Sequence, residues 1–162
     1  MQRRIRCSWL GWVFCAFFLP ILWLTTGCQT ANRSLFTIAG PGWKVQEGQA
    51  LWRPRRGMPE LGGEVLLARH ADGACLVQFA KTPLPLVLAQ TTRTNWLIQF
   101  PPRHMGFGGR HTPPQRFAWL YLHCLLAGEP LGADLRGECR PDGHWRLENV
   151  RSGETLEGYL TP

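Results

Sequence analysis

Past position 27 this chain has only two serines, Ser34 and Ser152, and only three aspartates, Asp72, Asp134 and Asp142. Ser34 lies in a short polar stretch and Ser152 in a turn. No Gly-x-Ser-x-Gly surrounds either, which excludes the nucleophile elbow of an α/β-hydrolase. The aspartates fall at turns or strand edges and the glutamates are scattered, leaving no carboxylate pair for acid–base work. No Cys-x-x-Cys occurs, and no histidine stands at zinc-ligand spacing from a cysteine. The Gly-rich, basic run Arg103-His104-Met105-Gly106-Phe107-Gly108-Gly109-Arg110-His111 lacks the Lys-Ser/Thr of a P-loop and reads as a mobile flap. His123 falls in a helical pattern, as a satisfied or exposed histidine rather than a base. Internal repeats and low-complexity segments are missing too. These absences point to a non-catalytic protein that needs neither metal nor cofactor.

What is present is concentrated first at the N-terminus. Arg3, Arg4 and Arg6 precede an uncharged, aromatic-rich stretch at 9–24 and then Thr25-Thr26-Gly27-Cys28. A basic n-region, an apolar h-region and a small residue before cysteine resemble the signal of a bacterial lipoprotein, cut before Cys28. That resemblance implies a signal peptide at 1–27, an acylated Cys28 and a polar tether at 28–34. Each buried methylene contributes about 0.8 kcal/mol, so several acyl chains on Cys28 hold the mature chain at a membrane. Gln29 stands where Asp favours inner-membrane retention in enterobacterial lipoproteins, which directs the expectation to the periplasmic face of the outer membrane. The alternative is an uncleaved inner-membrane signal anchor, because 7–27 is uncharged and a span needs about 20 apolar residues.

About 135 residues follow the signal, enough for one domain at 35–162 and too few for two. The formal net charge is +7, and the three arginines of the n-region leave +4, spread thinly. An exported, tethered protein rarely meets nucleic acid, so none is expected as a partner; anionic headgroups are the more available match. Of six cysteines, Cys7 and Cys15 are expected to leave with the signal and Cys28 is the acylation candidate. Cys75, Cys124 and Cys139 remain, an odd number that allows at most one internal disulfide. Cys75 and Cys124 lie in apolar runs and read as small buried hydrophobes.

Strand patterns, separated by Gly, Pro and Asp-Gly signals, fall at 35–39, 43–45, 50–53, 64–70, 75–81, 86–92 and 95–100. Asp72-Gly73 suits a type I′ hairpin turn. Apolar residues occupy both faces: Cys75, Val77 and Phe79 oppose Ala74, Leu76 and Ala80; Leu84, Leu86 and Leu88 oppose Val87 and Ala89; Trp96, Ile98 and Phe100 oppose Leu97. A sheet covered on one side only alternates more cleanly. The spacing next predicts one long helix over 113–128, opened by Pro113-Pro114, with Phe117, Leu120, Tyr121, Cys124 and Leu125 on one face and Gly128 at its end. Trp119, Leu122 and Leu126 occupy the opposite face, so the helix is expected between the sheet and something else apolar. Strands return at 134–140, 144–150 and 154–160, with turns at Pro141-Asp142-Gly143 and Ser152-Gly153.

Three stretches carry a wider resemblance. Cys75-Leu76-Val77-Gln78-Phe79 is followed by Thr82-Pro83-Leu84; 114–130 has a Pro entry, Trp119 and the close Leu126-Ala127-Gly128-Glu129-Pro130; and Trp145-Arg146-Leu147-Glu148-Asn149 opens a strand with Trp. Behind a lipoprotein signal, these resemble the lipoprotein-localisation family of LolA and LolB, the LolB branch nearest. The resemblance implies a mainly β, α+β fold: an open, curved antiparallel half-barrel covered by one long helix, whose hollow receives acyl chains. The hollow lining is then expected from Leu67, Val77, Phe79, Leu86, Leu88, Trp96, Ile98, Trp119, Leu122 and Leu126. A membrane-contact loop is expected around Met58, which inserts while Arg55 and Arg56 meet phosphates. The expected partners are an acyl lipid or lipoprotein cargo, the membrane and a periplasmic carrier protein. A structural or assembly lipoprotein, burying the sheet's second apolar face against another chain, is the alternative.

Overall fold

The computed structural model describes residues 34–38 and 40–161; the expected signal peptide, Cys28 and the tether up to Arg33 lie outside the described residues. Nine strands are described: β1 (Trp43–Arg53), β2 (Leu61–His70), β3 (Cys75–Lys81), β4 (Leu84–Thr91), β5 (Asn95–Phe100), β6 (Met105–Arg110), β7 (Leu135–Cys139), β8 (His144–Asn149) and β9 (Glu154–Leu160). They form one antiparallel sheet in the order β6-β5-β4-β3-β2-β1-β9-β8-β7. The chain lays down a six-strand meander, crosses the sheet, and returns as a three-strand meander that pairs with β1 through β9. Gly48 and Gly158 permit that join, since a Cβ on Gly48 would lie 1.9 Å from the Tyr159 carbonyl oxygen and one on Gly158 would lie 2.3 Å from that of Gln49.

Register sorts the side chains into two faces. One ladder runs Leu67, Val77, Ala89, Ile98 and Phe107 across five strands, and on the other side of the sheet Leu156 and Leu147 continue from Trp52. This inner face is the core. The opposite ladder runs Ala68, Leu76, Gln90 and Leu97, all buried as well. Part of its cover is the segment at 34–36: the Leu35 amide donates to Gln90 Oε1 at 2.8 Å, and Gln90 Nε2 donates to the Phe36 carbonyl at 3.0 Å.

The expected long covering helix is not there. Residues 113–117 are non-helical, a 3-10 turn occupies Ala118–Tyr121, and only Leu122–Leu126 form an α-helix, α1. Side chains of β8 and β9 capture the backbone groups that a continuous helix needs. Asn149 Nδ2 donates to the Gln115 carbonyl at 2.8 Å, and Glu154 Oε2 accepts from the Ala118 amide at 3.3 Å. Phe117, at φ −111° and ψ 83°, sits outside helical space as a result. The helix does close as its sequence suggests, on Gly128 at φ 69°.

Ala118, Trp119, Leu120, Tyr121 and Leu122 are buried without interruption, and the segment touches β3, β4, β7, β8 and β9. Strands from both wings reach it, so the sheet curls around a plug. The apolar character on all sides of 117–126 marks a chain threaded through a hollow, not a helix lying over one.

Three smaller differences share a cause in glycine and local polarity. β1 is one strand where two were expected, because Gly48 serves the join with β9 rather than a turn. The expected flap forms β6, whose glycines accommodate a neighbour: a Cβ on Gly109 would lie 2.8 Å from the Trp96 ring. Residues 35–38 pair with no strand, and Gln90 instead binds the Leu35 amide and the Phe36 carbonyl. Among the described residues no helix is long and apolar enough to cross a membrane.

Candidate functional site

The inner face and its plug define the site. Trp119 lies at its centre, fully buried, stacked on Phe79 at 5.0 Å between ring centroids and edge-on to Trp52 at 5.9 Å. Phe100 stacks on Trp52 at 6.3 Å, and Phe117 then bridges outward to Phe100, Trp96 and Phe107 at 6.4, 6.1 and 5.2 Å. A continuous aromatic wall therefore leads from the centre to the β5–β6 edge. Phe100, Phe107 and Phe117 are only partly buried, so the wall reaches the surface at that edge.

Of the expected lining, Leu67, Val77, Phe79, Trp96, Ile98, Trp119 and Leu122 come together in this core, with Leu86 and Leu126 at its margin. Leu88 does not. It pairs with Gln78 and Gln99 on the convex face, while Val87 and Ala89 point inward. A register shift between Phe79 and Ala80 is responsible: the extra residue, Leu86, turns toward the core, and the simple alternation that grouped it with Leu88 fails. Leu67, Val77, Phe79, Ile98, Trp119 and Leu122 are closed off by the chain's own plug.

One polar group sits in this apolar setting. Glu154 is the only charged side chain buried with the core among the described residues. Its Oε1 accepts from Trp52 Nε1 at 2.9 Å and its Oε2 from the Ala118 amide, so it ties the wall to the first residue of the plug. Burial pushes its carboxyl up to about 7, against the two hydrogen bonds that favour the charged form. The indole N–H groups of Trp119 and Trp145 are buried without an acceptor among the described residues, a cost of about 1–3 kcal/mol each.

Burial holds all three thiols above the usual thiol range. Cys75, Cys124 and Cys139 are all free. Burial pushes Cys75 up to about 12, and burial with the neighbouring Glu129 pushes Cys124 up to about 11. Cys124 Sγ lies 3.3 Å from His123 Nε2, but burial also lowers the pKa of that imidazole, so both groups are neutral near pH 7 and no thiolate–imidazolium pair forms.

Alternate turns of an antiparallel meander fall at the same end of the sheet, and here that end is distinctive. It carries the β1–β2 loop with Arg55, Arg56 and Met58, the β3–β4 turn with Leu84, and the β5–β6 turn with Arg103 and Met105. Met58, Leu84 and Met105 are 37, 62 and 43 % exposed. The β8–β9 turn joins them, since the Arg56 amide donates to the Ser152 carbonyl at 3.2 Å. Beside this turn, Pro114, Gln115, Arg116, Asp134, Asn149, Arg151 and Ser152 line an open cleft of about 690 Å³.

Glu154, Arg116 and Arg151 escape sequence reasoning. A glutamate that opens a strand after Ser-Gly looks like any turn-flanking charge, and only the tertiary fold buries it. Trp52, by contrast, is signalled by its apolar alternation with Ala50.

No family model matches this chain, and no curated protein matches it.

Proposed function

We propose that this chain is a non-catalytic lipoprotein, tethered through Cys28 to the periplasmic face of the outer membrane, that takes acyl chains of a lipoprotein or glycolipid into the inner face of its sheet and delivers them to the membrane. The observation that carries this reading is how the hollow is filled. A four-residue 3-10 turn and a five-residue helix occupy it, rather than a second layer of long elements. The segments on either side, 111–117 and 127–134, contain Pro113, Pro114, Gly128, Pro130 and Gly132 and form no helix or strand, so the plug is held by side-chain ties from Gln115, Asn149 and Glu154 rather than by continuous secondary structure. An acyl chain offers the same contacts as Trp119, Leu122 and Leu126, at roughly 25 cal/mol per Å² buried.

The rim supports the delivery step. Three apolar tips among arginines suit an interface where side chains enter the acyl region and guanidinium groups meet phosphates. A periplasmic carrier protein remains the natural source of cargo for such a receptor.

A titration with dansyl-undecanoic acid tests the reading. Saturable binding at one probe per chain is expected, followed by transfer of the probe to phosphatidylglycerol vesicles. Met58→Glu is expected to slow transfer at least tenfold while leaving binding and melting temperature unchanged. An absence of saturable binding removes the reading. It would favour a partner-binding lipoprotein that uses the convex groove of about 560 Å³ lined by Gln49, Leu51, Gly62, Glu64 and Tyr159.

A further inference from the structure

The cleft at Arg116 and Arg151 meets the outer end of the aromatic wall, and the junction between the two is a single residue. The Arg116 guanidinium carbon stands 4.8 Å from the centre of the Phe117 ring and 5.6 Å from that of Phe107, two of the partly buried aromatics at that end. The same residue lines the polar cleft with Arg151 and Ser152. Neither arginine forms an ion pair among the described residues, although Asp134 lines the same cleft.

A fixed geometry surrounds them. Gln115 Oε1 accepts from the Asp134 amide at 2.7 Å, Asn149 Nδ2 holds the Gln115 carbonyl, and Asn149 Oδ1 accepts from the amides of Arg151 and Ser152 at 3.0 and 2.9 Å. The backbones that carry both arginines are thereby tied to one buried asparagine. Two arginines on a braced backbone, one of them packed on Phe117 and Phe107, match an amphiphile with an anionic end and an apolar end.

We infer that this cleft is the headgroup site for an anionic amphiphile, a phosphate-bearing lipid, whose acyl chain passes Phe117 and Phe107 into the hollow. The inference rests on the acyl-chain reading above and adds the charge class of the cargo. Arg116 performs two tasks: it pairs with the phosphate, and its stacking on Phe117 keeps the entrance in register with the headgroup.

Isothermal titration of the protein below micellar concentrations, with dodecyl phosphate, dodecyltrimethylammonium and dodecyl maltoside, separates these elements. Dodecyl phosphate is expected to bind at least tenfold more tightly than the other two. Arg116→Gln and Arg151→Gln are each expected to weaken dodecyl phosphate about tenfold, the scale of one charge-assisted hydrogen bond, and to weaken dodecyl maltoside far less. Equal affinity for all three, or an Arg116→Gln/Arg151→Gln double variant that binds dodecyl phosphate normally, overturns the headgroup site while the acyl reading stands. Failure of every dodecyl compound to bind overturns both. Inorganic phosphate that binds as tightly as dodecyl phosphate overturns the amphiphile and leaves a free-anion site.

Discussion

Trimming Trp119 to alanine is expected to lower stability by about 3–5 kcal/mol and to raise affinity for a long-chain fatty-acid probe about tenfold, equivalent to about 1.4 kcal/mol. Both effects come from the same void. Trp119 is fully buried between Phe79 and Trp52, so removing the indole leaves an apolar cavity walled by rings that have lost a neighbour. Apolar cavities of this kind stay dry and accept apolar guests. Because the Trp119 N–H lacks an acceptor among the described residues, its loss also removes an unsatisfied donor, which places the expected cost toward the lower end. Chemical denaturation gives the first quantity and probe fluorescence the second. If alanine destabilises without improving binding, Trp119 is ordinary core and the plug is permanent. Trp119→Phe serves where alanine prevents folding, with a smaller cost and a smaller gain.

Glu154 is expected to make the domain lose stability as pH rises. Its carboxyl is raised from 4.5 to about 7 in the folded chain. The folded state therefore holds a proton that the unfolded state has released. The stabilisation is fully present below pH 4.5 and is lost as pH climbs through 7, a change of roughly 3 kcal/mol at 1.36 kcal/mol per unit. His123 acts oppositely. Burial lowers its pKa, so its contribution is present above 6.5 and is lost as pH falls. Comparing the protein with Glu154→Gln isolates the carboxyl, because His123 is common to both. Glutamine keeps an acceptor for Trp52 Nε1 but turns a donor toward the Ala118 amide. The variant is thus expected to be about 1 kcal/mol less stable at pH 5 and 1–2 kcal/mol more stable at pH 8, so the two stability–pH curves cross. Parallel curves in urea denaturation would show that Glu154 does not titrate in this range. The same residue fastens the start of the plug, so at pH 8 the charged form strains the point where the plug meets the wall.

The sheet was legible where apolar residues alternate between clear turns. β3, β5 and β9 agree with their expected bounds, and Asp72-Gly73 and Ser152-Gly153 mark the starts of β3 and β9. The two-sided apolar pattern was also informative, since Leu76 and Leu97 do lie buried on the face opposite Val77 and Ile98. Periodicity misled at 113–128. Phe117, Leu120, Tyr121, Cys124 and Leu125 fit a helical stripe, but whether a helix forms depends on who takes its backbone hydrogen bonds, and Asn149 and Glu154 are more than 30 residues away. The same limit applies to the site. Aromatic lining residues announce themselves by being apolar, whereas a buried carboxylate and two cleft arginines have the same appearance in sequence as solvated charges. Leu88 was misplaced by one residue of register, because the bulge at Phe79/Ala80 depends on strand pairing, and Pro85 opposite Ala80 is the mark that simple alternation passes over.

Native mass spectrometry is the most direct test of a lipid-accepting hollow. Residues 29–162, exported to a bacterial periplasm behind a general secretory signal and purified without detergent, are expected to carry one acyl lipid per chain. A ligand-free chain that also refuses added fatty acid and dodecyl phosphate would contradict the account, and the inner face would then be a closed core.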